Sequence, residues 1–170
     1  MTDSFAKLER ERSGVRVGLW VRRAILTALG VLVLLGLLNR YGQRPADSVA
    51  RVPAATMRLS APDRIRGGLF FQSRLEISAA QPIDHPRIVI DEGWLEGMQV
   101  NSIEPAPIGE AGRDGRVVLS YDAMKPGDLL RVWFQFEVNP TNVGRRSYAV
   151  ALDDAERPVA RLAPTITVLP

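Results

Sequence analysis

Hydrophobic and polar residues follow two different patterns along this chain. Residues 24–38 are all Ala, Ile, Leu, Val or Gly apart from a single Thr, so a helix built from them has no polar face. After about residue 55, apolar and polar residues alternate in short runs separated by turn residues, which is the period of a strand with one buried face. The pattern predicts one apolar helix followed by a β domain.

The apolar run is about 15 residues long, between a signal-peptide core and a bilayer-spanning helix of about 20 residues. Its flanks favour the longer span, because they carry aromatic residues suited to the membrane interface and arginine stems that reach headgroups. The predicted anchor residues are Trp20, Arg22, Arg23, Arg40 and Tyr41. The nearest small-x-small peptidase site, Ser48-Val49-Ala50, comes late after the run. We predict a transmembrane helix over 20–41, retained as a signal anchor; a cleaved signal peptide and a buried soluble helix stay open as alternatives.

Charge is distributed by segment and gives the predicted orientation. Residues 1–23 carry six basic and three acidic side chains, whereas residues 53–170 carry 13 basic and 15 acidic ones. A β domain without excess positive charge argues against a nucleic-acid partner. More basic residues lie within 20 positions before the apolar run than within 20 positions after it. The positive-inside rule therefore predicts a cytoplasmic head over 1–19 and an extracytoplasmic C-terminal domain. The predicted location is the cell membrane, with a single pass.

The rest of the chain predicts an antiparallel β-sandwich. Residues 42–54 are expected to form a linker, and 55–170 an Ig-like sandwich; an up-and-down barrel is the lesser alternative. Asp114-Gly115 fits a tight hairpin turn, and Pro126-Gly127 fits a type II turn. The predicted strands are 56–60, 69–79, 87–91, 98–103, 116–121, 129–139, 147–152, 159–162 and 165–169. The fold class is therefore mainly β, an Ig-like antiparallel sandwich preceded by one N-terminal transmembrane helix.

One stretch resembles a known family. Residues 119–154 contain the turn Pro126-Gly127-Asp128, a strand with apolar residues at alternate positions, Gly144, and a final strand ending near acidic residues. This resembles the last strands of bacterial Ig-like domains of the cell-adhesion-related type. The chain departs from them after 79, where such domains often place Asn-x-Gly and this one reads Ala80-Gln81-Pro82. The resemblance implies a fold on a single-pass envelope protein, and it implies no activity.

Few residues offer chemistry. The chain has no cysteine and a single histidine, His85, in a predicted turn. It contains no G-x-S-x-G element and no phosphate-binding glycine motif. Two acidic groups, 91–92 and 153–156, are expected to be solvated turns, with calcium binding as the alternative. We therefore predict no catalytic residue, no metal and no cofactor.

The candidate interface residues come from strand faces and one turn. Phe70 and Trp133 fall on the polar faces of their strands, where they would form an adhesive patch unless another segment covers them. Arg145 and Arg146 lie in a basic turn that could contact a headgroup or an acidic partner. Trp94 is expected to fill the core at one end of the sandwich.

These features predict a membrane-tethered extracytoplasmic domain that acts by protein contact. It would be an accessory or stabilising subunit of an envelope assembly, with the membrane and a membrane or envelope protein as partners and no enzymatic activity. The alternative is an extracytoplasmic ligand-binding module that recognises calcium, a glycan or a cell-wall component.

Overall fold

The computed structural model describes residues 3–38 and 43–170, with side chains from residue 18 onward. The predicted anchor residues Arg40 and Tyr41 lie outside the described residues. The chain divides into two compact units, Met1–Gly42 and Gln43–Pro170, which are considered separately below.

The first unit contains one long helix, α1 (Asp3–Leu37). It begins much earlier than the predicted span, because the basic head is rich in Lys, Arg, Glu and Leu, which favour helix. Its segment Gly18–Leu37 has 20 residues and is long and apolar enough to cross a membrane or to serve as a signal sequence. Trp20 is 71% exposed, and the Arg23 Cζ atom lies 5.9 Å from the centroid of its ring. Within its unit, this apolar helix therefore has no protein surface covering it.

The second unit is built from strands arranged in three sheets. The strands are β1 (Pro45–Arg51), β2 (Ala55–Pro62), β3 (Arg64–Arg66), β4 (Phe70–Ala79), β5 (Pro86–Ile90), β6 (Met98–Glu104), β7 (Gly109–Arg113), β8 (Arg116–Ser120), β9 (Leu129–Val138), β10 (Gly144–Ser147), β11 (Val150–Asp154), β12 (Arg157–Leu162) and β13 (Thr165–Leu169). The first sheet has the order β1-β2-β4-β9-β6, and the second has the order β12-β11-β5-β8-β7. A small sheet of order β10-β13-β3 completes the unit, and its β13–β3 pair is parallel whereas all other pairs are antiparallel. The predicted fold class is confirmed.

A single hydrophobic core joins the sheets. The central strands β4 and β9 bury every second side chain, as their alternating sequences require. Trp94, in the short 3-10 turn Glu92–Trp94, is 1% exposed and packs against Phe134, Phe136 and Tyr148. The expectation that Trp94 fills the core is confirmed.

Both predicted turns have the expected backbone. Asp114 and Gly115 have φ angles of 51° and 74°, as a two-residue hairpin loop of type I′ requires. In the other turn, Gly127 has a φ of 93° and the Asp128 N–H donates to the Lys125 carbonyl over 3.0 Å.

Several elements differ from the prediction. The expected linker 42–54 contains β1, which pairs with β2 along its whole length, so the sandwich starts at residue 45 rather than 55. Strands β3 and β7 are not among the predicted strands. The predicted strand 147–152 is two strands, because the chain leaves the small sheet after β10 and joins the second sheet at β11. Tyr148 and Ala149 make the crossing, and both are buried.

Candidate functional site

The outer face of the first sheet carries two of the interface residues that the sequence predicts. It carries the alternate side chains of β4 and β9 that point away from the core, including both Phe70 and Trp133. The register places Trp133 beside Arg74, and Phe70 beside Glu137. Phe70 is therefore four residues from Arg74 along β4, about 13 Å at strand spacing. The structure does not bring the two aromatic residues together into one patch.

Trp133 is the centre of a shallow groove of about 310 Å³ on this outer face. The groove is lined by Gln72, Ser102, Glu104, Trp133 and Gln135. Trp133 is half-buried, and the Arg74 Cζ atom lies 5.2 Å from the centroid of its ring, which is cation–π geometry. We call this groove together with Arg74 the Trp133 groove.

The Arg74 side chain, which lies over the Trp133 ring, also contacts a carboxylate on the same strand. Its Nε atom lies 3.5 Å from Glu76 Oε1, which also accepts a hydrogen bond of 2.8 Å from Arg131 Nε. Glu76 thus forms an ion pair with Arg74 and a shorter, hydrogen-bonded one with Arg131, and Arg74 Nε has no hydrogen-bond partner in the described part of the chain. The groove presents an ordered tryptophan–arginine pair surrounded by amide and carboxylate groups.

Phe70 lies at one end of the first sheet and is 63% exposed. Its carbonyl accepts a 3.1 Å hydrogen bond from Gln43 Nε2, so Phe70 stands next to the first residue of the second unit. In the described part of the second unit, Phe70 is exposed and Trp133 is half-buried, so neither is fully covered by a terminal strand or loop, the alternative that the sequence left open.

Arg145 and Arg146 differ in their surroundings although they are adjacent. Arg146 is partly buried and forms a 3.2 Å salt bridge with Glu96. Arg145 is exposed, and its Nη2 donates to Thr165 Oγ1 over 3.3 Å. The neighbouring Asn142 is buried, and its amide donates to the carbonyls of Glu96 and Gly97, both at 3.2 Å. Arg146 is therefore tied to a carboxylate within the domain, whereas Arg145 is exposed to solvent and binds only the Thr165 hydroxyl.

Sequence reasoning missed a charged cluster on the outer face of the second sheet. The two oxygens of Asp91 are each bound by an arginine: Arg116 Nε at 2.9 Å and Arg161 Nη2 at 2.6 Å. Arg116 and Arg161 lie 25 and 70 positions after Asp91 in the sequence, so no local motif could have revealed this cluster.

Next to this cluster, Val89, Val118 and Ala151 line two adjoining hollows of about 380 and 400 Å³. Burial raises the pKa of Asp153 on the far side above its usual value, against the opposing effect of Arg87 and Arg116. We call this surface the charged lane. It is an apolar strip bordered by ion pairs.

The residues considered for chemistry do not converge. His85 is exposed, and its backbone N–H, rather than its ring, donates to Asp154 Oδ1 over 2.8 Å. Because Asp91 is already bound by two guanidinium groups, its oxygens are poorly placed to bind calcium. Within the described ranges, no three His, Asp or Glu side chains are grouped to hold a metal ion.

Comparisons with known proteins find similarity only at the level of structure. No protein-family model matches the chain, and no curated protein is significantly similar in sequence. The solution structure of CaCohA2 from Clostridium acetobutylicum is 13% identical, with a TM-score of 0.45, over 74% of this chain and 91% of that one. A non-cellulosomal cohesin from Archaeoglobus fulgidus is 14% identical, with a TM-score of 0.42, over 63% of this chain and 86% of that one. The assignment of a β-sandwich rests on the sheets described above.

Proposed function

We propose that this chain is a membrane-tethered β-sandwich that acts by binding another protein of the cell envelope. The segment Gly18–Leu37 would span the membrane, with the basic head in the cytoplasm and residues 43–170 on the outer side. The tether would hold the domain near its partner, so that a weak contact is sufficient for stable association. The domain would be an accessory or stabilising subunit of the assembly.

The observation that supports a protein partner is the Trp133 groove. Tryptophan and arginine are the residue types most enriched at binding hot spots, and here they form one ordered pair on an uncovered sheet. The pair is formed before any partner arrives, because Arg74 contacts both the Trp133 ring and the Glu76 carboxylate within the domain. Preorganisation lowers the entropy cost of binding.

The same geometry disfavours the alternative of a glycan. A sugar would stack on the face of an aromatic ring, but Arg74 already occupies a face of Trp133. The charged lane is the second candidate for a contact surface, and neither of its two hollows is lined by an aromatic side chain. Both points favour the Trp133 groove as the protein contact.

Photo-crosslinking in cells tests the contact surface. A crosslinking amino acid at Gln135 in the groove should capture a partner in the native membrane, and the same amino acid at Val118 in the charged lane is the matched control. The Gln135 crosslink should disappear when Trp133→Ala is added. Equal crosslinking at both positions, or a crosslink at Val118 alone, would exclude the groove as the interface.

The tether is tested separately. Resistance of the full chain to extraction by alkaline carbonate, together with a mature N-terminus upstream of residue 24, should show a retained span. A protease added outside spheroplasts should degrade residues 43–170 and leave the head intact. A mature chain that begins downstream of Leu38 would instead show a secreted protein.

A further inference from the structure

One end of the second unit combines exposed arginines with exposed apolar side chains. The residues are Arg64, Arg66, Leu69, Phe70, Val143 and Arg145. We call them the basic tip. Leu69, Phe70 and Val143 are 43%, 63% and 51% exposed, so three large apolar side chains lie at the surface beside the arginines.

The three arginines share the outer face of the small sheet. Arg145 and Arg64 are both register partners of Thr167 in β13, one on each side, so they lie about 10 Å apart. Arg66 is two residues further along β3 and therefore points to the same face. Among the described residues, none of the three forms a salt bridge. In the described part of the chain, the small sheet thus presents three arginines that have no direct ion-pair partner.

The apolar side chains are fixed next to this charge by close packing of two loops. Gly67 lies so near the Pro140 carbonyl oxygen that a Cβ atom would be 2.8 Å from it. The Gly68 N–H donates to the Val138 carbonyl over 2.8 Å, and the Val138 N–H donates to the Leu69 carbonyl over 3.0 Å. The loop that carries Leu69 and Phe70 is therefore held against the loop that leads to Val143.

The basic tip also lies beside the point at which the chain enters the domain. Gln43 binds the Phe70 carbonyl through its side chain, and only residues 39–42 separate it from Leu38. Even fully extended, this connection covers no more than about 18 Å. A membrane that holds the helix would thus lie within reach of the tip.

We propose that the basic tip binds the surface of the membrane that anchors the chain, with Arg64, Arg66 and Arg145 contacting anionic phospholipid headgroups and Leu69 and Phe70 entering the interface. The proposal rests on the proposed function in that it requires the membrane tether. Each arginine near an anionic surface contributes about fivefold to binding, so the three together would contribute on the order of 100-fold. Such contact would orient the domain and fix the direction in which the Trp133 groove faces.

Site-specific fluorescence on the full chain in vesicles tests this contact. Because the chain has no cysteine, Val143→Cys and Ser78→Cys each give a single labelling site without other changes. Val143 is in the tip, whereas Ser78 is near the other end of β4, about 26 Å from Phe70 along the strand. Each variant is labelled with an environment-sensitive dye and reconstituted in phosphatidylcholine vesicles with or without phosphatidylglycerol, containing a spin-labelled quencher lipid.

The Val143 probe should be quenched strongly in vesicles that contain phosphatidylglycerol, and the Ser78 probe should not. Added salt should reduce the quenching, because it screens the arginines. The double variant Arg64→Glu, Arg66→Glu should lower it to the Ser78 level. Lys125→Glu with Arg157→Glu changes the net charge equally, at exposed positions that are not part of the tip, and should leave the quenching unchanged.

The outcomes separate the two proposals. If the chain does not float with vesicles after an alkaline wash, the tether itself fails. If it floats but the Val143 probe is quenched no more than the Ser78 probe, only the lipid contact is wrong, and the tip would then be free for a protein partner. Equal quenching with and without phosphatidylglycerol would overturn the role of the arginines.

Discussion

Trp94 gives the sharpest test of the core, because two substitutions there should have very different effects. The side chain is 1% exposed, and its ring centroid lies 4.8 Å from Tyr148, 4.9 Å from Phe136 and 5.8 Å from Phe134. Trp94→Ala removes all three ring contacts and leaves a cavity, which should cost about 3–5 kcal/mol of unfolding free energy.

Trp94→Phe should cost far less, for a reason specific to this site. The indole Nε1 is buried, and no acceptor for it is found in the described part of the chain. An unsatisfied buried donor costs about 1–3 kcal/mol, and phenylalanine has no such donor. This gain offsets the smaller ring volume, which alone would cost about 1–2 kcal/mol. We expect the phenylalanine variant to lie within about 1 kcal/mol of the wild type.

The measurement is urea unfolding of the full chain in detergent micelles, followed by the β-sheet band in circular dichroism. Trp133→Ala is the matched control, because it removes the same side chain from the sheet surface and should cost less than about 1.5 kcal/mol. A Trp94→Phe variant as unstable as Trp94→Ala would show that the indole N–H is satisfied, and would refute the argument.

Predictions for four further substitutions concern other positions. Asp153→Asn should raise the melting temperature at neutral pH, because burial raises the pKa of this carboxyl and so disfavours its charged form in the folded state. The gain should shrink as the pH falls through this raised pKa towards the ordinary pKa of an aspartate, where the unfolded chain also becomes protonated. A gain that persists at low pH would contradict this. Gly127→Ala should lower the unfolding free energy by about 1–2 kcal/mol through its φ of 93° alone, since nothing blocks a Cβ there. Gly93→Ala, whose Cβ would collide with the Ser147 carbonyl, should be clearly less stable than Gly127→Ala when both are unfolded in urea. Asn142→Ala should cost about 0.5–1.5 kcal/mol, because it removes two hydrogen bonds to part-buried carbonyls, of which Gly97 keeps the Asn139 N–H as a donor and Glu96 loses its side-chain donor. An unfolding free energy equal to that of the wild type would argue against this.

The sequence predicts strands well where they bury one face. Strands β4, β9 and β13 were found almost to the residue, since each alternates clearly between core and solvent. Strand β1 was missed because nearly all of its side chains are exposed, so burial imposes no period on its sequence. Strand β7 is likewise an exposed edge strand of the second sheet.

The candidate sites were predictable only in part. The alternation within one strand predicts which face a side chain lies on, but it does not predict which strands pair or in which register. Phe70 and Trp133 were correctly assigned to the outer face of their strands. Their separation depends on the register between β4 and β9, which places Arg74 rather than Phe70 beside Trp133. The binding of Asp91 by two arginines depends on pairing among distant strands in the same way.

The position of β1 has a mechanical consequence. The chain enters the sandwich at the beginning of this edge strand, and β1 then runs antiparallel to β2 for seven residues. A pull on the domain along the strand axis, with the preceding chain held fast, would load all the β1–β2 hydrogen bonds in shear at once rather than opening them one after another. The first strand would therefore serve as a clamp that keeps the folded domain intact under tension.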